Sequence, residues 1–411
     1  MRLSRFALLT AIATLGLIGM GGLVTSHGAG MSVPDWPNTY GYNMFFFPIS
    51  KWVGGIFYEH THRLVASGVG MLTSVLALWL YGKKSRPFMR WMGVALLCLG
   101  GAALAADPKG WSNALVLGLT GAALSGASFF WPRCEASPKW LRRLGLIAFF
   151  AVVTQGILGG LRVTEKMQQL GIFHATLAQL FFALVCSIAL FASPWWESSG
   201  ARLRGMSSAG PAPSDLRRRE FGFVLGATVL ILCQLALGAT MRQQHAGLAI
   251  PDFPLAYGRF WPATDPASVA SYNQHRMEIF AVNPITAAQI LMQMAHRFMA
   301  LLILIAVGVS AFSVRRRLGA GHSLSKLTLV WLGLIFVQAF LGAATIWSNK
   351  AADIATAHVV GGALSLALGT ILCIISYRNL TLVQSWVRAG TRDAVPIHPP
   401  MGARAATSGL H

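Results

Sequence analysis

The sequence has few charged residues, and very few of those are negative. Only 11% of the 411 residues are charged, with 13 Asp and Glu against 33 Lys and Arg, whereas 55% are hydrophobic. A soluble globular domain carries about 25% charged residues, so the composition excludes that class. The mean hydropathy of +0.57 instead indicates a membrane protein.

Cysteine is also scarce. Four of the five cysteines lie inside apolar segments, and Cys134 lies in a basic loop that we place on the cytoplasmic side. No cysteine falls in a predicted outer loop, which excludes a structural disulfide outside the membrane.

Long apolar segments are abundant, and they predict an all-α, polytopic membrane protein with about ten transmembrane helices. Each segment has about the 20 residues that a bilayer crossing requires. Arg2 and Arg5 precede the first segment as in a signal peptide, but its full helix length predicts a retained helix. The segments lie near residues 6–26, 61–81, 89–106, 112–131, 143–162, 171–193, 221–241, 288–312, 325–347 and 354–377.

The formal net charge of +20 raises the question of a nucleic-acid partner. If the chain crosses the membrane ten times, however, all the basic clusters lie on the same side. The positive charge is then explained by the orientation in the membrane, and we expect no nucleic-acid binding. The positive-inside rule places both termini in the cytoplasm, in what we expect to be a bacterial plasma membrane. The clusters are Arg2 and Arg5, Lys83 to Arg90, Arg133 to Arg143, Arg202 to Arg219, Arg315 to Lys326, and Arg378 to Arg392.

Two loops on the opposite side share one motif. Residues 34–41 and 251–258 both read Pro-Asp-aromatic-Pro-x-x-Tyr-Gly, and further matching motifs follow each loop in the same order. A duplicated unit explains this most economically, as two tandem four-helix bundles. We call residues 34–41 and 251–258 the Pro-Asp loops.

The two halves differ in length. His62 and His174 are 112 residues apart in the first half, whereas His296 and His358, which follow the matching motifs, are 62 residues apart in the second. The extra 50 residues accommodate two additional helices at about 85–135. We therefore expect an N-terminal bundle over 1–200, a cytoplasmic linker at 201–220, a C-terminal bundle over 221–380 and a flexible cytoplasmic tail at 381–411.

Four histidines recur within apolar segments as two pairs, His62 with His174 and His296 with His358. Ionisable residues inside a membrane are functional candidates by default, although a single histidine can simply hydrogen-bond across helices. A haem iron takes two axial ligands from opposed helices, so two pairs suit two bis-histidine haems. We expect one haem pocket per bundle, both toward the outer face.

An arginine follows the first histidine of each pair. Arg63 and Arg297 could each pair with a haem propionate, or could extend to lipid headgroups. Three residues before the histidine, the first half has Glu59 and the second has Gln293. A carboxylate can accept a proton or stabilise positive charge, so we expect chemistry in the N-terminal pocket and a resident redox cofactor in the C-terminal one.

Other outer-side residues carry weaker signals. His60 is two residues from His62 and points to another helix face, so it is not expected to be a ligand. His27 and His245 precede the Pro-Asp loops and could cover a pocket, relay protons or lie in solvent. Asp35 and Asp252 lie in proline-bounded turns, where aspartate caps backbone groups.

Together these motifs resemble the heme A synthases. The resemblance covers most of the chain: Gly21 to Pro37, the Glu-x-x-His-Arg signature at Glu59, His62 and Arg63, Phe173-His174, the second Pro-Asp loop, His296-Arg297 and His358. Two departures are visible. The cysteine pair found in the first outer loop of some members is absent, and the two helices at 85–135 exceed the minimal eight.

The resemblance implies oxidation of the C8 methyl group of heme O to a formyl group, by successive hydroxylation, for cytochrome oxidase biogenesis. His62 and His174 would then flank heme O, with Glu59 as the catalytic carboxylate, and His296 and His358 would ligate a heme b iron. Heme O synthase is an expected partner. The electron acceptor, the oxygen source and any homo-oligomer stay open.

Two other functions compete. A diheme electron-transfer protein, such as a quinol-linked cytochrome b, explains four histidines but leaves Glu59 and the asymmetry of the pockets unexplained. A haem transporter or chaperone would have labile ligation in both pockets.

Overall fold

The computed structural model describes residues 2–198, 214–276 and 284–393. Most of the predicted 201–220 linker and the tail beyond residue 393 lie outside the described residues. The described part contains helices and two isolated β-bridges but no β-strand. The ten long helices are α1 Arg2–Ser26, α2 Gly54–Leu80, α3 Arg86–Ala106, α4 Trp111–Phe130, α5 Lys139–Thr164, α6 Gln168–Phe191, α7 Ser214–Gln243, α8 Ala287–Leu318, α9 Ser323–Trp347 and α10 Ala352–Asp393.

Ten helices in the described part are long and apolar enough to span a bilayer, which confirms an all-α, multi-pass membrane protein. The helices extend beyond the apolar segments that predict them. α2 begins at Gly54 and α10 ends at Asp393, because polar residues continue a helix past its apolar stretch. All five cysteines are free.

Each half forms a ring of four helices. In the first ring α1 packs on α2 and α6, and α5 packs on the same two helices, so α2 and α6 occupy one diagonal. In the second ring α7 packs on α8 and α10, and α9 packs on the same two, so α8 and α10 form the corresponding diagonal. Two four-helix bundles are therefore present, although a duplication as their origin stays a prediction.

The two bundles share an apolar interface. α10 packs on α1 and α6, and α6 also packs on α7. Ala363 and Ala367 of α10 belong to the core of the first bundle, and Ala183 of α6 belongs to the core of the second. Small side chains at these positions let the bundles approach closely.

The Pro-Asp loops have the same internal hydrogen bonds. Asp35 accepts the backbone N–H groups of Tyr40 and Gly41 at 2.7 and 2.8 Å. Asp252 accepts those of Tyr257 and Gly258 at the same distances. The capping role predicted for both aspartates is confirmed. We call the end of the molecule that carries these loops the Pro-Asp end.

α3 and α4 form a hairpin that packs chiefly on itself and stands outside both rings. Gly93 and Gly121 face each other across it, and a Cβ added at Gly121 would lie 2.6 Å from the Gly93 carbonyl oxygen and 2.8 Å from the Leu97 nitrogen. At the Pro-Asp end, Asn43 donates to Asn113 at 2.7 Å. These are the two helices predicted at 85–135.

Substituting Gly121→Ala should separate the hairpin, because its new methyl group meets backbone atoms. Overpacking of this kind typically costs about 1–3 kcal/mol. Gly126→Ala is the matched control, since its Cβ would meet nothing within 4 Å. Thermal unfolding in detergent should show a lower midpoint for Gly121→Ala alone; equal midpoints would contradict the close packing of α3 on α4.

Candidate functional site

The four predicted histidines lie on the diagonals of the two rings. His62 is on α2 and His174 on α6, across the first bundle. His296 is on α8 and His358 on α10, across the second. The structure therefore brings together the pairs that the sequence predicts.

The second pair has a geometry that suits a shared metal atom. The ring centres of His296 and His358 are 6.4 Å apart, with an interplanar angle of 63°. Two imidazoles bound to one metal through bonds of about 2 Å have ring centres roughly 6 Å apart. In the first pair, His62 lies close enough to His174 for their charges to interact.

Each histidine ring packs against a glycine of the helix before it. A Cβ added at Gly21, Gly159, Gly238 or Gly342 would lie 3.2 to 3.3 Å from the ring Cε1 atom of its histidine. Such a contact is tighter than most side chains tolerate, so the glycine lets the ring lie on the neighbouring helix backbone. The same contact occurs four times, at α1 on α2, α5 on α6, α7 on α8 and α9 on α10.

Three of these glycines lie four residues after a glutamine that hydrogen-bonds to the backbone of the same histidine. The side-chain amides of Gln155, Gln234 and Gln338 donate to the backbone carbonyls of His174, His296 and His358 at 2.9, 3.0 and 2.6 Å. On α1 the corresponding position is Leu17. The recurring Gln-x-x-Leu-Gly pattern is visible in the sequence, but its contact with the histidines required the structure.

The Nδ1 atom of each ring is buried and has no hydrogen bond of regular geometry among the described residues. The rings of His174 and His358 nevertheless interact with the backbone of Gln155 and Gln338 on the preceding helix. Such a backbone contact is the usual way in which the second ring nitrogen of a metal-binding histidine is held. The described residues contain no group of three or more His, Cys, Asp or Glu able to hold a bare metal ion. Two protein ligands per site fit a porphyrin iron, because the porphyrin supplies the other four ligands.

Arg63 and Arg297 hold the Pro-Asp loops. Arg63 donates to the carbonyl oxygens of Val33, Asp35 and Asn38 at 2.7 to 3.0 Å. Arg297 donates to those of Asp252 and Leu255 at 2.7 and 2.9 Å. The sequence does not predict this contact, and the pairing of these arginines with propionates stays a prediction.

Glu59 and Gln293 anchor the same loops. The Glu59 carboxylate is buried, accepts the Val33 N–H at 2.9 Å and forms a salt bridge with Arg63 at 2.8 Å. Gln293 accepts the Ile250 N–H at 2.6 Å through its amide oxygen. The two side chains thus occupy equivalent places, but only the first carries a charge.

The remaining histidines lie apart from both pairs. His60 is fully buried beneath the first loop, where its Nδ1 lies 3.1 Å from the Thr39 hydroxyl. His27 stacks on Tyr58 with ring centres 4.1 Å apart. His245 lines a cavity of about 230 Å³ at the Pro-Asp end, between the bundles, together with Arg162 and Arg242.

The sequence model of the COX15-CtaA family, described as "Cytochrome oxidase assembly protein", matches residues 110–370, which contain three of the four histidines. Glu59, His62 and Arg63 precede the matched range.

Curated relatives carry the name "Heme A synthase". That of Bartonella quintana is 26% identical over 238 residues, which cover 57% of this chain and 61% of the relative. That of Brucella ovis is 27% identical over 240 residues, covering 56% of this chain and 58% of the relative. The chain thus spans about three fifths of the length of these relatives. The family match extends over more than half of the 411 residues, and the protein therefore belongs to the COX15-CtaA family of cytochrome oxidase assembly proteins.

Proposed function

We propose that the protein is a heme A synthase, which oxidises the C8 methyl group of heme O to a formyl group for cytochrome oxidase biogenesis. Family membership and the printed names of the relatives support the proposal. One observation carries it: two bundles present the same diagonal histidine pair, yet only the first has a buried carboxylate three residues from a ligand.

In this proposal the two pockets have different occupants. His62 and His174 hold heme O as substrate, and His296 and His358 hold heme b as a resident cofactor. The 6.4 Å separation of the second pair suits ligation of one iron. When bound, heme b supplies one-electron transfer.

The residues around the first pocket have distinct tasks. His62 and His174 orient the substrate, and Gly21 and Gly159 set the depth of the two rings. Glu59 is the catalytic carboxylate, which accepts a proton or stabilises positive charge developing on the substrate. Its hydrogen bonds to Val33 and Arg63 fix the position of the carboxylate.

The topology follows from the charge distribution. Arg2, Lys83 and Arg317 lie at the end opposite the Pro-Asp loops. By the positive-inside rule that end faces the cytoplasm and carries both termini, while the Pro-Asp end faces outward from the plasma membrane. Heme O synthase, which makes the apolar substrate, is a partner in this scheme.

Glu59→Gln separates catalysis from loop anchoring, since Gln293 already anchors the second loop with an amide. We expect the variant to fold and to bind haem but to form heme A roughly 10²-fold more slowly or worse, in the range of general acid–base contributions. The measurement is haem extraction and chromatography after co-expression with a heme O synthase in a host that lacks heme A.

Gln293→Glu is the reciprocal control and should retain wild-type conversion. Full heme A production by Glu59→Gln would show that the carboxylate serves only as an anchor. Heme b in the purified wild type, with heme O left unconverted, would instead support the diheme electron-transfer alternative.

The histidine pairs can be tested by haem content. His296→Ala and His358→Ala should each abolish the bis-histidine absorption spectrum of heme b in purified protein, because one axial ligand is lost. His62→Ala should keep this spectrum and lose conversion of heme O. His275→Ala, on the exposed helix Pro266–His275, is the control. A heme b spectrum that depends on His62 rather than His296 would reverse the assignment of the pockets.

A further inference from the structure

The cavity at the Pro-Asp end lies where the two bundles meet. Its walls come from the end of α1, the turn between α5 and α6, the end of α7 and the turn between α9 and α10. The side chains of Arg162, Lys166, Arg242, His245 and Lys350 line it, and the lining includes no acidic residue among those described. We call this cavity the cationic cleft.

Arg162 and Arg242 make the cleft unusual. They lie close enough for their charges to interact, so they repel each other. Arg162 also interacts with Glu59 at longer range, but that carboxylate is already paired with Arg63. Two neighbouring guanidinium groups without a carboxylate between them form a site for an anion.

Both arginines lie one helical turn beyond a glycine that packs on a histidine ring. Arg162 follows Gly159 by three residues, and Arg242 follows Gly238 by four, in each case toward the Pro-Asp end. One turn of helix rises about 5.4 Å. The guanidinium groups therefore stand just outside the ring pockets, between the histidines and the molecular surface.

Each arginine is in electrostatic contact with at least one histidine of its own bundle. Arg162 interacts with His62 and His174. Arg242 interacts with His358. The cleft thus contains one arginine close to each histidine pair.

Neighbouring groups hold both side chains in place. Arg242 donates to the Gly22 carbonyl oxygen at 2.6 Å and to the Ser26 hydroxyl at 2.7 Å, both on α1 of the other bundle. Arg162 packs beside Gly171, where an added Cβ would lie 3.2 Å from its Nε and 2.5 Å from the Gln243 amide nitrogen. The two bundles thus interleave their side chains around the cleft.

The repeat between the halves does not explain these arginines. The residue that corresponds to Arg242 in the first half is Thr25, and the residue that corresponds to Arg162 in the second is Thr345. Each bundle carries one such arginine, on a different helix, and the pair meets only because the bundles are docked. The arrangement is specific to the interface.

We propose that Arg162 and Arg242 bind the propionate carboxylates of the haems held by the two histidine pairs, in the one shared cleft. The inference rests on the proposed haem occupancy and deepens it. Both terminal nitrogens of Arg63 and of Arg297 donate to carbonyl oxygens around the Pro-Asp loops. Arg242 uses only its Nη2 atom on α1, and both Arg162 and Arg242 line the open cavity beside the rings. Guanidinium–carboxylate pairs of this kind are often bidentate, so they would also fix how the porphyrin is turned in its pocket.

Binding of hemin and of its dimethyl ester to the haem-depleted full-length protein in detergent tests the proposal. The ester keeps the iron and the ring but lacks both carboxylates. Wild type should prefer hemin by roughly tenfold or more, as expected for charge-assisted hydrogen bonds. In the double variant Arg162→Gln/Arg242→Gln, the ratio of the affinity for hemin to the affinity for the ester should fall toward one. Only the binding of hemin should weaken.

Arg259→Gln is the matched control, since Arg259 is exposed at the Pro-Asp end and outside the cleft. If the double Gln variant does not fold, Arg162→Lys/Arg242→Lys keeps the charges and removes the forked donors, and its preference should be intermediate. An unchanged hemin preference in the folded variant would overturn the proposal. The proposal would also be overturned if anionic lipid vesicles removed the hemin preference of the wild type. The arginines would then bind a lipid anion instead of the propionates.

A second readout reports the carboxylates directly. Without its guanidinium, a propionate binds a proton more readily when the iron is reduced. The midpoint potential of heme b in Arg242→Gln should therefore shift and gain a pH dependence near neutrality that wild type lacks. If wild type binds neither hemin nor the ester, the proposed haem sites fail; if it binds both equally, only the assignment of the arginines fails.

Discussion

The contact between a glycine backbone and an imidazole ring determines how both bundles are built. Four times, a helix offers a glycine to the histidine of the next helix, with the ring Cε1 only 3.2 to 3.3 Å from where a Cβ would stand. The Cε1–Nδ1 edge of the ring can then approach the neighbouring backbone. Because the histidines occupy alternate helices of each ring, they end on a diagonal.

Much of this arrangement could be predicted from local sequence. The length and hydropathy of the segments predict ten helices, and the matched spacing predicts the histidine pairs. The contacts of Gln155, Gln234 and Gln338 with backbone carbonyls could not be predicted, because a hydrogen bond to the backbone of another helix leaves no residue-specific pattern. The convergence of Arg162 and Arg242 was invisible for a similar reason, since it depends on how the two bundles dock.

The Pro-Asp loops show how one scaffold serves two electrostatic environments. Both are held by a side chain three residues before a histidine and by the arginine that follows the histidine. In the first half that side chain is Glu59, whose charge is balanced by Arg63 at 2.8 Å. In the second half Gln293 makes the same backbone contact without a charge. A buried charge is costly unless it is paired, so replacing it by an amide leaves a simpler, neutral anchor in the second bundle.

The hairpin of α3 and α4 has a consequence for the history of the chain. Because its helices pack chiefly on each other, the fit of the two rings places little constraint on its lipid-facing residues. Those residues need only remain soluble in hydrocarbon, a requirement that many apolar sequences meet equally well. The packing of the rings therefore constrains its sequence less than it constrains the sequences of the ring helices. Because the hairpin crosses the membrane twice, the helices that follow it keep the same orientation whether or not it is present. Such a unit can therefore be gained or lost without reorienting either pocket.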